Sequence, residues 1–123
     1  MSIASEKYFD YFGNMELSDE TQLAVERLAA LAQPTRLKIF RLLVEAGRNG
    51  LPAGAIGERL GIVPATLSFH LSQLSQAELL TSTREGRSII YCASFSAMYG
   101  LIGYLSQNCC RGEMKKKRRA VHA

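Results

Sequence analysis

Residues 51–80, LPAGAIGERLGIVPATLSFHLSQLSQAELL, decide the fold, because they read as two short helices around a tight turn. Pro52 suits a first helical turn, where its missing N–H costs nothing. Ile56 and Leu60 supply one apolar ridge, and Gly61 ends the helix. Gly57, four residues earlier, is small enough for a second helix to cross closely. Pro64 restarts the chain as helix. Leu67, Leu71 and Leu74 then recur at i, i+4 and i+7 and must point inward, which leaves Ala65, Thr66, Phe69, Ser72 and Gln73 on the opposite face. That is the pattern of a helix-turn-helix whose second helix is polar on the side that enters a major groove. An ordinary amphipathic surface helix has the same periodicity, but an outward aromatic such as Phe69 is an odd choice for a solvated face.

On that outer face Thr66 and Gln73 can hydrogen-bond base edges, Ser68 a base or a phosphate, and Phe69 can meet a thymine methyl. His70 lies about 60° from the leucine ridge. A half-buried, hydrogen-bonded histidine and a DNA contact are equally good readings of it, and a metal ligand is not. Downstream, Leu80-Thr81-Ser82-Thr83 is β-branched and alternating, Glu85-Gly86 is a turn signal, and Arg87 to Ala93 forms a second strand. Arg84 and Arg87 flank the tip of this hairpin, where guanidinium groups can reach phosphates or a minor groove. Such charges on an isolated hairpin would be solubilising only. Beside a helix-turn-helix they complete a winged helix, so the expected fold is mainly α with a small β-hairpin.

Charge is divided along the chain in a way that fits this reading. The net charge is +4 over 123 residues, but residues 111–123 alone carry +5, residues 1–33 carry −4 and residues 34–90 carry +3. The basic middle coincides with the predicted winged helix, as expected for a nucleic-acid surface. With 47% apolar residues the chain makes one domain with a modest core. No positively headed apolar segment opens the sequence, so a cytoplasmic location is expected. Residues 88–110 are free of charge over 23 positions. They are nevertheless rich in Ser, Gly, Gln and Asn and begin as strand, so they read as buried interface, with no membrane partner.

Three segments follow: an arm over 1–19, a winged-helix and dimerisation domain over 20–110, and a basic tail over 111–123 expected to be disordered. The arm gathers Tyr8, Phe9, Tyr11 and Phe12. Ser18 or Asp19 should cap a helix to about Ala32, with Ala24, Leu28 and Leu31 on its inner face and Glu20, Glu26 and Arg27 outside. Pro34 opens another, ending at Gly47, with Leu37, Phe40, Leu43 and Val44 inward and Arg36, Lys38 and Arg41 solvated. Ser94 caps a last helix to about Asn108, in which Phe95, Met98, Ile102 and Leu105 repeat as a seam and Gly100 and Gly103 admit a neighbouring helix. The first and last helices are therefore expected to pair with their copies in a homodimer, setting two recognition helices on an inverted repeat of double-stranded DNA.

Cys109-Cys110, beside Asn108 and Arg111, is the sharpest chemical signal in the chain. Adjacent thiolates bond to each other only with strain, but they can close together on one soft, thiophilic ion such as trivalent arsenic or antimony, cadmium, mercury, copper(I) or zinc. The helix before them holds no His, Asp or Glu, which speaks against a mixed zinc site. Arsenite has three exchangeable positions, and Cys92 is the only other sulfur of the thiol kind. About 14 helical residues place it roughly 20 Å from Cys109 within one subunit. Cys92 therefore joins the site across an antiparallel dimer, or the site has two sulfurs and suits a methylated or aryl arsenical. A small buried hydrophobe on a strand is an equally good reading of Cys92.

The stretches LAALAQPTRLKIFRLL, ATLSFHLSQL, EGRSIIY and YLSQNCC together resemble the ArsR family of metalloregulatory repressors, over roughly residues 20–110. The resemblance implies a homodimeric repressor of its own metalloid-resistance operon that leaves its operator when inducer binds, with no permanent cofactor. The family's best-known arsenic site is a cysteine pair on the first helix of the helix-turn-helix, and Leu51 to Glu58 holds no cysteine. The NCC ending looks instead like a branch that adds a downstream cysteine to the pair. Only RGEMKKKRRAVHA follows here, which leaves Cys92 as the candidate third ligand. Two rivals are a repressor of the same fold sensing oxidants or persulfides through these thiols, and a thiol enzyme. The enzyme lacks a histidine base, since His70 belongs to the recognition helix and His122 to the tail, and no phosphate loop or carboxylate pair is present.

Overall fold

The computed structural model describes residues 18–113, so the aromatic arm to residue 17 and the basic run from residue 114 lie outside the described residues. Five helices and three strands follow in the order α1 (Asp19–Leu31), α2 (Pro34–Ala46), β1 (Leu51–Pro52), α3 (Ala53–Leu60), α4 (Pro64–Gln76), β2 (Leu80–Glu85), β3 (Ser88–Ala93) and α5 (Phe95–Ser106). The helix starts are chemically marked. The Ser18 hydroxyl accepts from the Thr21 amide at 3.1 Å, Ser94 does the same for Ala97 at 3.2 Å, and the Gln33 side chain accepts from the Arg36 amide at 2.8 Å ahead of Pro34. Each bond satisfies an amide that the first helical turn leaves without a partner.

Sequence reasoning anticipates two strands; the described residues hold three. β2 and β3 pair antiparallel from Leu80 opposite Ala93 to Glu85 opposite Ser88, across the loop Gly86-Arg87. β1 adds to the other edge of β3, with Leu51 opposite Tyr91 and Pro52 opposite Ile90. Pro52 therefore does not open a helix but ends an edge strand, where a residue without an N–H is tolerated, and α3 starts at Ala53.

The core lies where α2, α3, α4 and the base of the wing meet. Ile39, Leu43, Ile56, Leu74 and Leu79 have no exposed surface, and Phe40, Leu67, Leu71, Leu80 and Ala93 are nearly as deep. Two expected stripes are corrected. In α2 the buried face is Ile39, Phe40 and Leu43, and Leu37 is 44% exposed. α2 packs on α1, α3, α4 and β3 at once, which shifts the buried face from the one a single-sided helix would use. In α1 the deep residues are Ala24 and Ala30, small enough for close approach, while Leu23 and Leu28 face out.

α5 rests on the core through Ala97 and Leu101 and ends at Ser106 rather than Asn108. Its foot is tied to α1 by a 2.6 Å hydrogen bond between the Tyr104 and Thr21 hydroxyls. Tyr99, Ile102 and Leu105 point away from the body, and a Cβ at Gly100 or Gly103 would meet nothing within 4 Å. Among the described residues no helix is long and apolar enough to cross a membrane.

Candidate nucleic-acid interface and cysteine pair

The turn between α3 and α4 is built on two glycines. A Cβ on Gly57 would lie 2.9 Å from the Ile62 carbonyl oxygen and 3.3 Å from Leu67 Cδ2, so no larger residue lets α4 cross this closely. Gly61 takes a left-handed conformation, φ +68°, that other residues reach only at a cost. Leu67, Leu71 and Leu74 then anchor α4 in the core. Ala65, Thr66, Ser68, Phe69 and Ser72 are exposed on its outer side, with Gln73 half-buried at the edge. Phe69 leaves 57% of its surface uncovered.

His70 is a correction to the groove-facing set. It is only 8% exposed, and its Nδ1 lies 3.3 Å from the Arg36 guanidinium. A guanidinium can only donate, so Nδ1 accepts and the ring proton sits on Nε2. Burial, and then the charge of Arg36, hold the imidazole below its ordinary pKa. The Phe69 ring meets the His70 ring edge-on, with centroids 5.5 Å apart at 63°.

Two arginines assigned to solvated faces instead fasten the recognition helix. Arg27 of α1 is 14% exposed; its Nε donates to the Ala77 carbonyl at 3.3 Å, and it pairs with Glu78 at 3.6 Å, at the end of α4. Arg36 donates from Nε to the Ala30 carbonyl at 2.6 Å. Apolar periodicity cannot find such residues, because a long stem can lie on the core while its head remains polar. Arg36 did carry a signal: it sits in the first turn of a helix with no acidic residue there, where the helix dipole disfavours a cation, so it calls for a tertiary partner.

At the wing, Arg84 and Arg87 are both exposed, with the Arg84 guanidinium 3.4 Å from the Gly86 carbonyl. Recognition helix and wing tip are thus presented on one continuous segment, Pro64 to Ala93.

A helix-turn-helix domain model matches residues 31–83. The nodulation protein NolR of Rhizobium meliloti is 32% identical over 91 residues, 74% of this chain and 72% of its own. The transcriptional repressor SdpR of Bacillus subtilis is 32% identical over 85 residues, covering 68% of this chain and 90% of SdpR. An ArsR-like transcriptional regulator from Rhodococcus superposes with a TM-score of 0.64 at 25% identity, over 81% of this chain and 90% of that one. The chain belongs to the ArsR family of winged-helix transcriptional regulators. Like its ArsR-family relatives it is a DNA-binding transcriptional regulator and not an enzyme.

Within this ArsR-family frame the three cysteines fall into two places. Cys109 and Cys110 are exposed in the turn after α5, and their sulfurs are 3.5 Å apart. Asn108 and Cys110 both adopt φ +61°, which folds the backbone so that neighbouring side chains, splayed apart in an extended chain, come into contact. Cys92 is half-buried on β3, its thiol 3.3 Å from the Arg48 carbonyl. The 12 residues of α5, about 18 Å at 1.5 Å per residue, separate it from the pair. One subunit therefore does not bring the three sulfurs together, and no cluster of three His, Cys, Asp or Glu occurs among the described residues.

Proposed function

We propose that the chain is a homodimeric repressor that binds an inverted-repeat operator with the α4 and wing of each subunit. On this reading it is released when a trivalent arsenical closes on Cys109 and Cys110. The observation that carries the inducer is the spacing of the pair. With bonds of about 2.3 Å, as in metal–thiolate sites, two sulfurs 3.5 Å apart subtend about 100° at the bound centre. A pair that close can chelate one thiophilic centre, and the absence of a third His, Cys, Asp or Glu beside it among the described residues favours trivalent arsenic over a tetrahedral ion. Because Cys92 is held elsewhere, a methylated or aryl arsenical fits best, its carbon substituent filling the third valence. Binding is redox-neutral: two As–S bonds replace two As–O bonds, and the two thiol protons leave with the two oxygens as water.

The pair is well placed to act on dimer geometry. It follows the foot of α5, which Tyr104 ties to α1, and the outward apolar face of α5 supports pairing with a second copy. A ligand there changes the angle between subunits and hence the spacing of the two recognition helices. A coupling of about 1–3 kcal/mol lowers operator affinity about 5- to 150-fold.

The test is fluorescence anisotropy of the reduced protein on DNA from upstream of its own gene, titrated with methylarsenite, arsenite and antimonite. Methylarsenite is expected to release wild type and Cys92→Ser alike, and Cys109→Ser/Cys110→Ser should bind the operator but not respond. Arsenite release that disappears with Cys92→Ser would replace this reading by a three-sulfur site across the dimer. Release only after oxidation, with a disulfide or polysulfide found by mass spectrometry, would replace it by a redox sensor.

A further inference from the structure

Three helices meet at the guanidinium of Arg36. It belongs to the first turn of α2, donates through Nε to the Ala30 carbonyl near the end of α1, and reaches Nδ1 of His70 in the middle of α4. The Ala30 carbonyl lies in the last turn of α1, where helix carbonyls lack intrahelical donors and the dipole favours a cation. His70 is the only buried polar side chain among the described residues, and its neighbour Phe69 projects outward beside it. A rotation of α4 about its axis that breaks the Nδ1 bond also swings Phe69.

We propose that Arg36 and His70 are positioning residues for operator reading: their hydrogen bond sets the rotation of the recognition helix and links it to α1, the helix that α5 grips. Neither residue touches DNA in this account, which rests on α4 being the reading element.

The charges around the imidazole are few. α4 contains no Asp, Glu, Lys or Arg. From α2 comes Arg36, and from α1 comes Glu26, which lines a cavity of about 300 Å³ together with Arg36, Gln73 and Gln76. An imidazolium at position 70 faces a guanidinium and can no longer accept its hydrogen bond. Acid therefore undoes the link, and the neutral ring sustains it.

The test measures anisotropy on operator and on a random duplex from pH 5.5 to 8 for wild type, Arg36→Met and His70→Asn, with thermal midpoints to show that each is folded. Arg36→Met is expected to lose up to about tenfold on the operator, because α4 is no longer pre-set in the reading rotation before it binds, with random-duplex affinity unchanged. His70→Asn keeps an acceptor in the place of Nδ1 but does not titrate. It is expected to bind as wild type at pH 7.5 and to lack the acid-side fall that wild type shows, which steepens toward a limit of about tenfold per pH unit for one linked proton. An equal loss on both duplexes would make Arg36 a phosphate contact, and an acid fall surviving in His70→Asn would place the titrating group elsewhere; either overturns the proposal. Operator affinity that persists when Thr66, Phe69 and Gln73 are all changed to Ala would instead overturn the assignment of α4 as reader.

Discussion

At the scale of single residues, the Cys109-Cys110 pair shows how proximity alone changes chemistry. The Cys110 thiol is pushed above its usual pKa by the hydrogen bond with Cys109, then by repulsion from the neighbouring thiolate, with a small contribution from burial. An inducer that displaces the Cys110 proton therefore binds more tightly as pH rises. Replacing Cys109 by Ala removes the first two causes. Iodoacetamide labelling of Cys110, followed by peptide mass spectrometry at pH 8, should then run faster, in step with its larger thiolate fraction. An unchanged rate would mean that the thiols do not interact in solution. His70 makes a related point. Its type and spacing in the sequence fit either a groove or a core, and only the Arg36 guanidinium 3.3 Å away selects the second.

At the scale of elements, α4, the helix proposed to read DNA, carries no charged side chain. Attraction to phosphate must come from other elements, and the exposed arginines of the wing are the nearest in sequence. Changing Arg84 or Arg87 to Ala should weaken binding to every sequence about equally and reduce the slope of log affinity against log salt by about 1. Changing Phe69 to Ala should leave that slope alone and reduce discrimination at the base pair it meets, by about 1–3 kcal/mol if it covers a thymine methyl. Salt titrations on operator and random duplex separate the two; a slope unmoved by both wing substitutions would remove the wing from the interface. Elements were also where sequence reasoning was strongest. Ser18, Pro34, Gly61, Pro64 and Ser94 marked helix ends that the structure reproduces, because capping and turn chemistry are local. β1 escaped it, since a two-residue strand has no periodicity and exists only because β3 offers an edge.

At the scale of the whole molecule, Leu23 and Leu28 of α1 and Tyr99, Ile102 and Leu105 of α5 are among the large apolar side chains that the described residues leave exposed. If a second copy covers them, the thermal midpoint rises with protein concentration by mass action. Ile102→Glu should abolish that dependence, shift the sedimenting species from dimer to monomer, and weaken binding to a two-half-site operator more than tenfold while a single half-site is affected little. A midpoint already independent of concentration in wild type would mean that α5 does not pair. What the sequence determined by itself was everything carried by local pattern: the two helices of the motif, the glycine turn, the inward leucines, the hairpin and the adjacent thiols, since each depends on residues within a few positions of one another. What the tertiary structure alone decided was which polar groups are used up inside. Arg27 and Arg36 passed for solvent-facing residues in the sequence and His70 was left open between groove and core; all three became fasteners of α4 because partners 6 to 50 positions away were brought together. A hydrogen bond between distant residues leaves no period in a sequence; it exists only once packing has closed the distance.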